Sequence, residues 1–400
     1  MLIGMISTRF SGLDGVTLES SKVARALAAD GHRFAWFAGE LADSFRPGTE
    51  YPPAHFNTPE NRDLQAAAMA WSDPMDDLVT VIAHRRAELR EALWGFLAAL
   101  APDVLMIQNA SAIPMQLPLG LAIADVIEES GLPTIGHHHD FAWERRRFDG
   151  CIVPEVVDRA FPPLLPNLAH VVINQDARDE LRRRTGIEAT VVPNVMDFAN
   201  PPPPATGAAF RDAAGLSPSD IVLLQPTRII RRKGIELTLE LAARLADPTI
   251  KVVITHPEDI DTEYWDALQE QVSSSGVDLR LASGGTDARS LADAFAAADL
   301  VCFPSLHEGF GNALLEGFYY RRPVFVNRYP VYRRDIAPTG MRCIECSGAI
   351  TDRAVDQAAR WLAGSPESEA AIETNHEVGL EHFSFDTVRG RLRNLLPTPA

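Results

Sequence analysis

No stretch of about 18 consecutive apolar residues occurs in the 400-residue chain, so nothing in it is expected to span a bilayer. Cysteine is scarce: four residues point to a reduced compartment, and a cytoplasmic location is expected. Cys343 and Cys346 form a C-x-x-C, but a structural zinc would need two further ligands, and no metal site is expected there. Positive charge is also in short supply. The formal net charge of −17 argues against nucleic acid as a partner, because a phosphate backbone needs a basic face. The same charge disfavours stable association with anionic lipid. The N-terminus has no basic leader and reads as a first strand. With 46% hydrophobic and 23% charged residues, the composition is that of a globular protein with two domains.

What the chain does have is alternation. Apolar runs at 2–7, 33–38, 103–108, 133–138 and 167–173 read as strands. Helical patterns at 17–30, 76–101, 117–130 and 177–185 lie between and after them. Such βαβ repetition implies a parallel sheet covered on both faces, with ligands beyond the carboxyl ends of its strands. Residues 196–207, with four consecutive prolines at 201–204, read as a stiff hinge. Beyond it the alternation restarts, with strands at 221–225, 251–255, 279–281 and 299–304. Helices are expected at 234–245, 264–273, 288–297, 313–320 and 387–396. The expected domains are therefore 1–195 with a terminal segment 383–400, and 208–382. Two such halves on one hinge make a closing cleft.

The most informative segment is Ser305-Leu-His-Glu-Gly-Phe-Gly-Asn-Ala-Leu-Leu-Glu316. It leaves a buried strand, turns through Gly309 and Gly311, and opens a helix, where backbone N–H groups and the helix dipole favour an anion. Glu308 sits in the turn and Glu316 about one helical turn beyond Asn312. The pair resembles the E-x7-E signature of retaining glycosyltransferases of family 4, which have the GT-B fold. The resemblance covers nearly the whole chain and implies two Rossmann-like domains facing a cleft, with a C-terminal helix returning to the first. It also implies a nucleotide diphosphate sugar donor, a UDP- or GDP-hexose, and no bound metal or other cofactor. Glu308 would lie near the donor sugar with the amides of Phe310, Gly311 and Asn312, and Glu316 would hold the ribose.

Three further segments agree with it. Arg228 and Lys233, in Pro226-Thr-Arg-Ile-Ile-Arg-Arg-Lys-Gly234, resemble the family's R-x4-K pair. Positive charges aimed at a departing diphosphate stabilise it without a metal. Arg231 and Arg232 read as solvated loop charges. After the first strand, Asp14-Gly15 stands where the family has Gly-Gly. Gly15 can still offer an amide to the donor, whereas Asp14 would repel phosphate and is assigned to acceptor hydroxyls. In His137-His138-His139-Asp140, successive side chains of an extended segment alternate faces, so the three imidazoles cannot share one ion. His139-Asp140 best matches the family's His-Asp stretch, with His138 as its neighbour in register, and a histidine there would approach the sugar. Arg145 and Arg147 are candidate contacts for an anionic acceptor. Asp259-Ile260-Asp261 is a D-x-D of the kind that holds metal in another glycosyltransferase fold, and here it reads as incidental.

The expected function is hexosyl transfer with retention to a hydroxyl of a small, soluble, anionic acceptor, the oligomeric state being left open. An epimerase or hydrolase of the same fold, and a silent nucleotide-sugar sensor, are the competing classes.

Overall fold

A computed structural model describes residues 1–12, 14–282 and 288–397, and the side chains of 257–259 and 288–289 lie outside the description. The chain divides into two compact units, residues 1–193 with 385–400, and residues 194–384.

Unit 1 is built on seven parallel strands: β1 (Leu2–Ile6), β2 (Arg33–Ala38), β3 (Gly48–Glu50), β4 (Val104–Gln108), β5 (Thr134–His138), β6 (Leu168–Val172) and β7 (Ala189–Val191). Their order is β3-β2-β1-β4-β5-β6-β7, so the crossovers reverse direction between β1 and β4. All five residues of β4 and of β5 are buried, as expected for inner strands covered on both faces. The core joins Ile6, Phe37, Leu105 and Ile107 from the sheet to Leu93, Phe96, Ile123 and Val126 from the helices Leu78–Leu100 and Leu117–Ser130. The C-terminal helix Phe385–Arg393 packs in this unit on the helix Gly15–Ala28, with Arg25 over the Phe385 ring at 5.2 Å.

Unit 2 repeats the scheme with β8 (Ile221–Ile229), β9 (Ile250–Ile260), β10 (Asp278–Leu281), β11 (Leu300–Phe303), β12 (Val324–Asn327) and β13 (Ile344–Cys346). The order β10-β9-β8-β11-β12-β13 places its reversal between β8 and β11. Open α/β sheets bind ligands at the carboxyl ends of strands flanking such a reversal. Residues 201–206 carry no regular secondary structure. The short helix Ala208–Ala213 follows, its first amides held by Asp293 through Gly207 N and Phe210 N at 2.8 and 2.7 Å.

Four strands and several helices were not expected from the sequence: β3, β7, β12 and β13, and the helices Pro59–Ala68, Pro154–Ala160, Ala208–Ala213, Asp352–Leu362 and Pro366–His382. No helix among the described residues is long and apolar enough to cross a membrane.

Candidate functional site

In unit 2 the segments leaving β8 and β11 come together. A 3-10 turn over Arg231–Lys233 ends at Gly234, whose φ is +62°. A Cβ at Gly234 would lie 2.3 Å from the Pro304 carbonyl oxygen, so only glycine allows the two loops this close approach. Leu306 N donates to Arg232 O at 2.8 Å across the same seam.

This contact delivers two cations to one carboxylate. Lys233 Nζ lies 2.5 Å from Glu308 Oε1, and Arg232 Nη1 lies 2.8 Å from Glu308 Oε2. Lys233 and Glu308 are each 9% exposed. Burial would raise the Glu308 carboxyl, but the Lys233 and Arg232 charges outweigh it and hold it below its ordinary value. Burial draws the Lys233 ammonium down, against the opposing pull of Glu308. A buried carboxylate bonded on both oxygens is fixed in place as well as charged.

Arg232 therefore corrects the expectation of a solvated loop charge: it also donates to His307 O at 3.3 Å. Arg231 does face outward, paired with Glu263 at 2.6 Å. Arg228 is exposed near the end of β8, opposite His256 of β9.

Two helices begin at this reversal, and their N-termini differ. In the helix Ile235–Leu245 the first amide donates to the buried Tyr264 hydroxyl at 2.8 Å, and Glu236 bonds that hydroxyl from the first turn. That end is closed to an anion. The helix Asn312–Tyr319 has no side-chain cap and no acidic residue in its first turn. It is the end that suits negative charge. Its entry is built by Gly311 at φ +123°, where a Cβ would meet the Tyr329 hydroxyl at 2.5 Å. Tyr329 is buried and donates to Phe310 O at 2.6 Å, pinning the turn. Asn194 Nδ2 holds Asn312 Oδ1 at 2.6 Å. Glu316 is half-buried one turn along the helix, its charge acting on the Tyr320 hydroxyl, which burial and that charge push up.

In unit 1 the structure sorts the other candidates. Asp14 is the N-cap of the helix Gly15–Ala28: it accepts from Val16 N and Thr17 N at 3.0 and 3.1 Å and pairs with Arg9 at 3.0 Å. These bonds commit its oxygens to the helix end, in place of the expected acceptor role. Leu13 of the same loop lies outside the described residues.

His138 also differs from its assignment. It is 1% exposed, its Nε2 bonded to His170 Nδ1 across 3.0 Å and its ring packed on Phe141, so it sits against a sheet neighbour with only its Nδ1 left unpartnered. His137 and His139 share the other face, their rings 4.5 Å apart. Asn109, at φ +58°, secures the His139-Asp140 step: its Oδ1 accepts from His139 N and its Nδ2 donates to Asp140 Oδ1, each at 2.9 Å. Burial pulls the His139 pKa down to about 4, so the ring is neutral.

Arg145 is paired with Asp140, and Arg147 lies over the Phe148 ring at 4.6 Å with Nη2 against Met115 Sδ. Neither forms an open anion pocket with the other, against expectation. Among the described residues no group of three or more His, Cys, Asp or Glu is placed to hold a metal, and Cys343 and Cys346 are buried free thiols. The Asp259 side chain of the D-x-D lies outside the described residues, while Asp261 caps the helix Thr262–Ser275.

Known proteins share both the sequence and this architecture. Residues 208–377 match the family described as glycosyl transferases group 1. A mannosylglucosylglycerate synthase of Thermotoga maritima is 31% identical across 99% of this chain and 100% of its own length. A second, from Petrotoga mobilis, is 30% identical across 86% of each. Anabaena HepE, solved in complex with UDP and glucose, superposes with a TM-score of 0.66 at 14% identity, over 98% of both chains. Two parallel-sheet units with this strand order define the GT-B class. The chain belongs to the glycosyl transferases group 1, the GT4-type glycosyltransferases.

Proposed function

We infer that the protein is a retaining hexosyltransferase that moves a hexosyl unit from a UDP- or GDP-hexose to a hydroxyl of a small, acidic sugar glycerate. The observation that carries this is the buried Glu308 carboxylate held by Lys233 and Arg232 beside the uncapped start of the helix Asn312–Tyr319. The relatives from Thermotoga maritima and Petrotoga mobilis are named for making mannosylglucosylglycerate. A mannosyl unit passed to glucosylglycerate is accordingly the reaction to try first.

In this mechanism the donor diphosphate lies at the start of the helix Asn312–Tyr319, with Arg228 and Lys233 as its cations. Lys233 has three N–H donors and can bond a phosphate oxygen while keeping Glu308. As the bond from the sugar carbon to the diphosphate oxygen breaks, the oxygen's growing negative charge meets these cations, with no metal required. The acceptor hydroxyl attacks from the face the diphosphate leaves, and its proton passes to the departing phosphate oxygen. Glu308 accepts hydrogen bonds from sugar hydroxyls, Glu316 from the ribose. His139, neutral, orients a hydroxyl and does not serve as an acid at neutral pH.

The test is incubation with a panel of UDP- and GDP-hexoses, with and without glucosylglycerate and with EDTA present. Release of nucleoside diphosphate that depends on glucosylglycerate, with a product of unchanged anomeric configuration by NMR, supports the proposal. Release that is independent of acceptor, or an inverted product, contradicts it.

A further inference from the structure

Unit 1 leaves buried polar atoms without partners at the carboxyl ends of β4 and β5. Gln108, the last residue of β4, is fully buried, and its Oε1 meets His139 Nε2 at 3.3 Å. Its Nε2 has no partner. His137 is the Cα register partner of Gln108 on β5, is 4% exposed, and its Nε2 is likewise unpartnered. Register partners on parallel strands project to the same face of the sheet. The His137 ring also lies 4.5 Å from that of His139. Gln108, His137 and His139 thus form one contiguous polar patch.

Such atoms are rarely left bare. Most buried polar groups are bonded, and each one that is not costs about 1–3 kcal/mol. Three lie at these strand ends, and His138 Nδ1 is on the opposite face of β5. The two that share a face, Gln108 Nε2 and His137 Nε2, mark a place that a ligand completes where open α/β sheets take their ligands.

The patch carries no charge with which to hold an anion. Burial keeps the His137 and His139 imidazoles neutral, and Arg145 is paired with Asp140. It also lacks the ligand set of a metal site. What remains is matched hydrogen bonding. The Gln108 amide nitrogen only donates, and a neutral imidazole nitrogen accepts when the other carries the proton. A hydroxyl both accepts and donates, so it satisfies the two together.

We propose that Gln108 and His137 read a hydroxyl of the acceptor's sugar ring. Acceptor choice then rests on sugar hydroxyls and not on the acid group. The inference rests on unit 1 being the acceptor side of the transferase proposed above.

The test is calorimetric titration of the full chain with glucosylglycerate, glucose and glycerate, each with saturating UDP, with GDP, and without nucleotide. We expect glucosylglycerate and glucose to bind and glycerate not to. Gln108→Met, close in length and apolar, and His137→Phe should each weaken glucosylglycerate at least tenfold with the circular dichroism spectrum unchanged. Should either variant fail to fold, the wild type decides: at least one monodeoxy-glucosyl analogue should bind tenfold more weakly. Glycerate binding as well as glucosylglycerate, no binding by any of the three, or folded variants and deoxy analogues all within twofold of the reference would overturn the proposal. Binding is measured apart from turnover, so a wild type that binds glucosylglycerate but transfers nothing sinks the transferase reading and leaves the pocket standing.

Discussion

Replacing Lys233 with Met tests the donor corner on stability and activity together. Methionine has similar length and no charge, so the change leaves the Glu308 carboxylate buried with one cation instead of two. Orphaning a buried charge completely costs about 3–5 kcal/mol. Arg232 stays on Oε2, with its own side chain 40% exposed and partly screened, so the expected loss is about 2–3 kcal/mol. For a unit of this size that lowers the melting temperature by about 5–10 °C. Turnover should fall further than stability alone explains, by about 10²–10³-fold at saturating donor, because a cation on the leaving group acts chiefly in the transition state. The double variant Lys233→Met/Glu308→Gln removes both charges and should regain most of the lost melting temperature without regaining turnover. Scanning fluorimetry and a nucleoside diphosphate release assay read the two effects. If the single variant melts within 1–2 °C of wild type (about 0.5 kcal/mol or less) and turns over within threefold, the pair is neither a buried ion pair of consequence nor part of the chemistry.

Two other perturbations reach separate parts of the structure. Burial lowers the His170 pKa to about 4, so the native state resists a proton that the unfolded chain accepts near 6.5. The stability this provides is complete above pH 6.5 and is lost as pH falls toward 4, about 1.3 kcal/mol between pH 7.5 and 5.5. His137, His138 and His139 shift in the same direction, so the melting temperature should drop by more than about 3 °C over that interval. A flat profile there would refute the buried neutral cluster. Gly234→Ala combines a left-handed backbone with a Cβ against the Pro304 carbonyl, and should push the loops of β8 and β11 apart. We expect donor kcat/KM to fall at least tenfold, and unchanged kinetics would show that the seam does not position Lys233.

Much of the architecture was legible because inner parallel strands are nearly continuous apolar runs, as in Val104-Leu-Met-Ile of β4 and Leu300-Val-Cys-Phe of β11. The edge strands β3, β7 and β13 were not, since each has three residues and the first two are half-buried or exposed. The long helix Pro366–His382 is polar around much of its circumference and gave no clear apolar stripe.

In the site, the spacing of Glu308 and Glu316 and the Arg228–Lys233 pair could be read from motif alone. The partner of Glu308 could not, because three consecutive basic residues in a loop do not reveal which one turns inward. Composition carries one signal: of 37 Lys and Arg residues only three are lysines, and Lys233 is one of them. Asp14 carried a readable signal as well, since aspartate directly before a helix is a strong N-cap. Strand alternation separates His138 from His137 and His139, whereas the His170 partner sits on another strand and had no local trace.

The central claim is that the unit 2 corner binds a nucleoside diphosphate, and titration calorimetry with UDP and GDP tests it most directly. We expect one of the two to bind the wild type with one-to-one stoichiometry, and to bind Arg228→Ala and Glu316→Ala at least tenfold more weakly. At a ligand concentration of 100 Kd the wild type should also gain about 2.7 kcal/mol of stability. Binding of neither nucleotide, or binding that both variants leave untouched, would contradict it.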